Sequence, residues 1–167
     1  MFEPEKLGNL PPDEAVAAFV EPARTTGNDV EPALAQGIVA VSGGDPYFIQ
    51  FFGAHLWRLA GGAGKALTQR LWRAHQREIR DRLDEQFFQA RFSRATRAER
   101  AFLQLIAQGG EEATIEQIIA PGPLDNSRIQ PKIAALTGKG LLYRPSRGRI
   151  AFTTPLFGDF LRRHTED

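Results

Sequence analysis

The chain has 167 residues, of which 42% are hydrophobic and 25% are charged. This composition is enough for a buried core in one ordinary domain or two small ones. The absence of Cys excludes disulfides, thiolate metal sites and a cysteine nucleophile. No apolar run approaches the ~20 residues of a membrane span, and the acidic, proline-containing N-terminus is unlike a signal peptide. We therefore expect a cytoplasmic protein with no membrane partner.

The net charge of +1 hides an uneven distribution of charge along the chain. Residues 1–57 contain eight acids and two bases, a balance of −6, whereas residues 58–100 contain eleven bases and five acids, a balance of +6. Residues 126–150 contain six bases and no acid. Such local clusters indicate more about binding partners than the net charge does.

Helix signals dominate the first half of the chain, where apolar residues recur every three or four positions. The predicted helices cover about 12–25, 31–42, 46–60 and 68–92. Asp45 and Pro46 suit the N-cap and the first position of the third helix. The fourth helix carries many arginines on its outer face, which we interpret as a solvated surface. Shared helical phase predicts the following core: Phe19, Leu34, Ile38, Phe48, Phe51, Trp57, Leu71, Ile79 and Leu83.

The second half of the chain contains shorter predicted elements. Thr96 with Glu99 three residues later predicts a capping box at the start of a helix, and Thr114 predicts the cap of a second helix. The remaining predicted features are a helix end at 121–123, a helix within 126–138, a hairpin turn at 145–148 and a last helix at about 156–164. The order helix, helix, helix, hairpin, helix is that of a winged helix-turn-helix. The predicted fold class is therefore mainly α.

Several stretches resemble the C-terminal half of AAA+ and STAND-like ATPases of the archaeal and bacterial origin-recognition-related group. Residues 41–50, with the sequence VSGGDPYFIQ, resemble a signature of the lid in these ATPases. Residues 138–142 and 147–157 resemble their winged-helix end. The start of the lid is matched by Leu7, Leu10, Glu14 and Ala15. The resemblance implies a helical AAA+ lid-type bundle over residues 1–94 and a winged helix-turn-helix with a small β-hairpin wing over residues 95–167.

The resemblance also implies a role in ATP-dependent chemistry. In such ATPases the P-loop and the Walker B acids lie upstream of the lid, and this chain starts at the lid. We therefore expect no catalytic residues and no cofactor in this chain, with ATP and Mg²⁺ held by the AAA+ core domain of the parent chain. Asp45, Pro46 and Tyr47 are the lid residues expected to face the nucleotide. Many lids have an arginine where Tyr47 stands, and we interpret Tyr47 as a packing residue.

Other candidate sites are weaker. The segment GGAGKA at 61–66 resembles a P-loop, but Leu59 replaces its first Gly and Ala66 its Ser or Thr, so we predict a flexible loop. His55, His75 and His164 lie on separate segments without metal-ligand spacing, and no metal site is predicted. The acidic pair at 84–85 lies beside an arginine on a helix, and we interpret it as surface.

The candidate functional site is the basic stretch 126–150. Its helix starts either at Asn126 or Ser127, which leaves Pro131 inside the helix, or near Gln130, where Pro131 suits the first turn. Both alternatives are open at this point. The N-terminal part of a recognition helix meets base edges and phosphates, and a wing reaches adjacent phosphates. We predict double-stranded DNA as the partner, bound by Ser127, Arg128, Gln130, Lys132, Arg147 and Arg149.

Two other functions compete with this prediction. In the first alternative, the chain is a protein-interaction or oligomerisation module of a STAND-type signalling ATPase, with oligomer partners in place of DNA. In the second alternative, the chain is a standalone winged-helix transcription regulator, and the lid-like half then has no evident purpose. The clustered basic residues favour DNA binding over a function that involves protein contacts alone.

Overall fold

The computed structural model describes residues 8–120 and 125–164. Leu7 and the predicted helix end at 121–123 lie outside the described residues. The chain divides into two compact units, one up to Leu83 and one from Asp84 on. It is mainly helical, with small β-sheets, which confirms the predicted fold class at that level.

The described residues of the first unit form four helices and two very short strands. These elements are α1 (Pro12–Thr25), β1 (Asp29–Val30), α2 (Pro32–Ser42), α3 (Pro46–Leu59), β2 (Ala66–Leu67) and α4 (Gln69–Leu83). The helices follow the predicted order. The two strands pair in parallel, with Asp29 opposite Ala66 and Val30 opposite Leu67, and the sequence analysis did not predict this pairing.

The corner between α2 and α3 follows from local chemistry. Gly43 and Gly44 have φ of +62° and +79°, a left-handed conformation that favours glycine and ends helices. A Cβ on Gly44 would lie 2.8 Å from the carbonyl oxygen of Leu10. The Asp45 carboxylate then accepts from the amides of Tyr47 and Phe48 at 2.9 and 3.2 Å, which confirms the predicted N-cap of α3.

The core of the first unit lies on a slightly different face of α3 and α4 than predicted. Phe51, Trp57 and Leu71 are half-buried; the other six predicted core residues are buried. Further members of the core are Ile49, Phe52, Leu56, Leu67 and Trp72. The rings of Phe52 and Trp72 meet edge to face at a centroid distance of 5.4 Å. The packing of α3 on α4 therefore buries Phe52 and Trp72, which adjoin the predicted Phe51 and Leu71 in the sequence.

The loop at 61–65, predicted to be flexible, is held by the buried side chain of Asn28. Its Nδ2 donates to the carbonyl oxygens of Gly62 and Lys65 at 2.8 and 2.9 Å. The amide of Gly64 donates to the Thr26 carbonyl at 3.0 Å. The loop is therefore tied to the turn after α1 by side-chain and main-chain hydrogen bonds.

The second unit begins with a π-helical turn at Asp84–Phe88. Its other elements are α5 (Gln89–Phe92), α6 (Arg97–Gln108), β3 (Glu112–Thr114), α7 (Ile115–Ile119), α8 (Asn126–Gly138), β4 (Leu142–Tyr143), β5 (Arg149–Phe152) and α9 (Phe157–Arg163). The three strands form an antiparallel sheet in the order β3-β5-β4. The hairpin of β4 and β5 was predicted, whereas β3 was not.

The predicted capping box at Thr96 and the predicted cap at Thr114 are both confirmed, and Thr114 also forms a capping box. Thr96 accepts from the Glu99 amide at 3.3 Å, and the Glu99 carboxylate accepts from the Thr96 amide at 2.7 Å. Thr114 forms the same reciprocal pair with Gln117 at 3.1 and 2.8 Å. These local hydrogen bonds set where α6 and α7 begin.

An aromatic cluster explains why the second unit begins before the predicted boundary at 94/95. Phe88, in the π-helical turn, stacks on Phe157 and Phe160 at ring distances of 5.8 and 5.3 Å. Phe92 meets Phe160 edge to face at 5.9 Å. Residues 84–92 therefore share their core with α9. Asp84 is buried with them, which corrects the interpretation of this residue as surface.

Candidate nucleic-acid interface

The start of α8 settles the alternatives left open for this helix. Asp125 is the N-cap: its carboxylate accepts from the Arg128 amide at 3.0 Å and from the Ser127 hydroxyl at 2.6 Å. The helix begins at Asn126 and includes Pro131, so the alternative start near Gln130 is wrong. The Ser127 and Arg128 hydrogen bonds lower the pKa of Asp125. An ionised carboxylate therefore stands at the N-terminus of the candidate recognition helix.

The solvent face of α8 carries little charge. Ile129, Ile133 and Leu136 are buried. The exposed residues of the helix are Asn126, Ser127, Arg128, Pro131, Ala134, Ala135, Thr137 and Gly138. Arg128 is the one charged residue in that set. Direct base reading by this helix therefore depends on few side chains.

Gln130 is engaged within the second unit. Its Nε2 donates to Asn126 Oδ1 at 2.7 Å, and its Oε1 accepts from Arg144 Nη2 at 2.6 Å. Arg144 directly follows β4. This hydrogen bond ties the hairpin to α8. Lys132 lies instead beside α6, in a shallow depression lined by Ala101 and Leu105. The two predicted site residues therefore lie on different sides of α8.

The predicted wing arginines differ in their contacts. Arg149 forms an ion pair with Glu112 of the neighbouring strand β3. Arg147 is exposed in the turn between β4 and β5 and makes no hydrogen bond or ion pair with any residue that the structure describes. Lys139, another base of the 126–150 stretch, pairs with Glu99 at 2.6 Å. The positive charge of this stretch is thus partly neutralised by acids outside it.

Two residues that shape this site were not predicted from the sequence. Asp125 lies one residue before the basic stretch 126–150, and the preference of Asp for N-cap positions is the sequence signal that points to it. Glu112 reaches Arg149 only because β3 pairs with β5. No local pattern in the sequence indicates that pairing.

The predicted nucleotide-facing residues lie at the start of α3. Pro46 and Tyr47 are exposed, and the Asp45 carboxylate caps the helix. Tyr47 is 50% exposed, so it is not a core packing residue as interpreted. Its ring contacts Phe48 and Phe51 at centroid distances of 5.5 and 6.3 Å. The aromatic face of Tyr47 is therefore held by its own helix at the surface of the first unit.

Across residues 8–120 and 125–164, no three His, Asp or Glu side chains come together as a metal-binding group. In the same part of the chain, no helix combines the length and apolar character needed to cross a membrane.

Comparison with known proteins gives one family match and one structural match. Residues 85–161 match a family model described as a domain of unknown function (DUF8462). The fold is similar to that of the Walker-type ATPase PABY2304 of Pyrococcus abyssi, with a TM-score of 0.61 and 18% identity over 92% of this chain. This chain spans 42% of the length of that ATPase chain. No curated protein matches. The structural match establishes a fold shared with part of a Walker-type ATPase.

Proposed function

We propose that this chain is a non-catalytic part of an AAA+-type ATPase and that its second unit is a winged-helix module that contacts double-stranded DNA. The observation that carries the DNA contact is the connection of α8 to the hairpin. Arg144 links the hairpin to Gln130 of α8 at 2.6 Å, and the hairpin turn presents the exposed Arg147. Helix and wing side by side are the two parts with which such modules bind a duplex.

The ATPase part of the proposal rests on the shared fold. The similarity extends over 92% of this chain but only 42% of the Pyrococcus abyssi ATPase, and the P-loop-like segment 61–66 lacks two defining residues. In this proposal, an AAA+ core domain of the parent chain holds ATP and Mg²⁺. Asp45, Pro46 and Tyr47 then face the nucleotide from the lid, with the exposed Tyr47 ring as the contact surface.

The contacts of the second unit narrow the set of DNA-binding residues. Arg147 is exposed and Lys132 is half-buried, and neither forms an ion pair with a described residue. Ser127 and Arg128 are exposed but already interact within the protein. Arg149 and Gln130 already have partners. We therefore expect about two phosphate contacts from this unit, by Lys132 and Arg147, and a slope of log affinity against log salt of roughly −2. Contacts of this kind bind all duplex sequences alike.

The test is fluorescence anisotropy of the whole chain with a labelled duplex, measured over a salt series. Arg147→Gln is expected to weaken binding to every duplex sequence and to make the salt slope shallower by about 1. Arg24→Gln is the matched control, because Arg24 is an exposed arginine of the first unit paired with Glu21. Binding that is equally affected by both variants would argue against a wing contact.

A second candidate function is supported by the outer face of α8. Pro131, Ala134 and Gly138 are exposed there, and small uncharged residues suit close packing against protein rather than phosphate. A protein-interaction or oligomerisation module of a STAND-type ATPase would use this face. Self-association of the chain in sedimentation experiments, disrupted by Ala134→Arg, together with no duplex binding at low salt, would favour that function. The standalone regulator is less well supported, because the fold similarity extends over both units.

A further inference from the structure

Helix α4 of the first unit carries a row of arginines that the proposed function does not use. Arg70, Arg73, Arg77 and Arg80 follow one another at intervals of three or four residues. At 3.6 residues per turn these positions lie within one side of the helix. We refer to these four residues as the arginine row. Three of them are exposed and Arg80 is half-buried.

The guanidinium groups of the arginine row have no acidic partner among the described residues. None of the four makes a hydrogen bond or an ion pair with any described residue. Arg82 of the same helix differs, because it donates to the Glu78 carboxylate at 3.1 and 3.3 Å. Asp81, the residue after Arg80, forms no ion pair with the row among the described residues. The two other acids near the row, Glu78 and Asp84, pair with Arg82 and Arg163 instead. The row is therefore a concentrated positive surface available to an anionic partner.

The opposite side of α4 keeps this surface in place. Trp72, Ile79 and Leu83 are buried in the core of the first unit, and Trp72 packs on Phe52 of α3. The helix therefore cannot turn its apolar face towards a lipid surface without unfolding the unit. Ala74, which lies beside the row, offers no large apolar side chain for insertion into a membrane. Membrane-surface helices need such side chains next to their basic residues.

We propose that the arginine row binds the sugar-phosphate backbone of double-stranded DNA, as a contact separate from the second unit. The row extends over eleven residues, whose ten rises amount to about 15 Å along the helix. One strand of a duplex presents about four phosphates over that length, which matches the four guanidinium groups. The forked guanidinium binds phosphate oxygens through paired hydrogen bonds. Because these contacts reach only the backbone, the binding is independent of DNA sequence.

The experiment compares two double variants of the whole chain that remove the same charge. Arg73→Gln with Arg77→Gln removes the centre of the row. Arg24→Gln with Arg82→Gln removes two exposed arginines of the first unit that already have acidic partners. Anisotropy with a labelled duplex of roughly 20 base pairs over a salt series measures the phosphate contacts, and thermal unfolding checks that both variants are folded. Flotation with vesicles rich in anionic lipid tests whether the row binds a membrane surface instead of DNA.

The row variant is expected to bind all duplex sequences more weakly, with a salt slope shallower by about 2, while the control stays within experimental error of wild type. Equal behaviour of the two variants overturns the proposal, as does loss of vesicle binding with unchanged duplex binding. Arg147→Gln separates this outcome from the proposed function. Weaker duplex binding by the row variant alone supports DNA contact by the arginine row and contradicts contact by the wing. Weaker duplex binding by Arg147→Gln alone supports contact by the wing and contradicts contact by the row.

Discussion

Asp84 and Arg163 form a two-point ion pair within the second unit. Arg163 Nη1 lies 2.5 Å from Asp84 Oδ2, and Nη2 lies 3.0 Å from Oδ1. The Asp84 side chain is only 4% exposed. Burial alone would lower the pKa of Arg163, but the hydrogen bonds and charges of Asp84 and Asp159 outweigh it and raise this pKa. Arg163 therefore stays charged, and its hydrogen bonds to Asp84 join the π-helical turn to α9.

Removal of Arg163 is expected to destabilise the second unit strongly. Arg163→Met leaves the Asp84 carboxylate buried without its fork of donors, with only the His164 ring 3.7 Å away, which costs about 3–5 kcal/mol. Urea unfolding followed by circular dichroism measures the loss. Asp84→Asn combined with Arg163→Met removes the buried charge as well and is expected to recover part of the stability. If the single and double variants are equally stable, the Asp84 charge left without Arg163 is not the cause of the lost stability.

Phe48 tests the core of the first unit. Phe48→Ala is expected to lower the free energy of unfolding by about 3–5 kcal/mol, because the side chain is buried and leaves a cavity. Tyr47→Ala on the same helix is the control and is expected to cost about 1 kcal/mol or less, since Tyr47 is half-exposed. Similar losses for the two variants would contradict the burial assigned to α3.

Asn28 tests the anchoring of the 61–65 loop. Asn28→Ala leaves the carbonyl oxygens of Gly62 and Lys65 without their donor and is expected to cost about 1–3 kcal/mol. Asn28→Asp, of the same shape, also lacks the donor and turns a carboxylate towards two carbonyl oxygens, so it is expected to be at least as damaging. Hydrogen exchange at the Gly64 amide should accelerate in both variants. Unchanged exchange would mean that the loop is ordered by other contacts.

Glu99 gives a pH-dependent contribution to stability. The Lys139 ammonium, followed by the Thr96 amide, lowers the pKa of Glu99 below its usual value of 4.5. Since the folded-state pKa is depressed, the stabilisation is fully present above pH 4.5 and is lost as pH falls through the folded-state value. Glu99→Gln keeps a capping group but removes the charge, and is expected to cost about 0.5–1 kcal/mol near neutrality.

The measurement for Glu99 is urea unfolding of wild type and Glu99→Gln from neutral to acidic pH. The difference between them is expected to shrink below pH 4.5. Glu116→Gln removes the same charge from an exposed position and is the control. A difference between wild type and Glu99→Gln that stays constant with pH would show that the charge of Glu99 plays no part.

The 61–65 loop is expected to lack P-loop activity. A P-loop holds phosphates with free backbone amides, but here the Gly62 amide donates to the Trp57 carbonyl and the Gly64 amide to the Thr26 carbonyl, both at 3.0 Å. We expect no ATP hydrolysis by this chain in a phosphate-release assay. Lys65→Ala is expected to leave any weak ATP affinity in calorimetry unchanged. Turnover that disappears in Lys65→Ala would contradict this prediction.

Local chemistry allowed the helices and their starts to be predicted. The capping pair of Thr96 and Glu99 and the N-cap Asp45 involve residues within three positions of each other, so their hydrogen bonds form whenever the helix forms. Helical phase identified most of the first core for the same reason. Where two residues were nearly equivalent by phase, as with Phe51 and Phe52, the packing of α3 on α4 decided between them.

The candidate site could be predicted only in part. The sequence by itself determined where the bases lie and that a helix and a hairpin carry them. Only the tertiary structure decided which bases remain available: Glu112 neutralises Arg149, Glu99 pairs with Lys139, and the row on α4 keeps its charge. Likewise, Asp84 is buried because Arg163, far along the chain, supplies its partner. Ion pairs between distant residues depend on strand pairing and helix packing, and no local pattern in the sequence encodes that geometry.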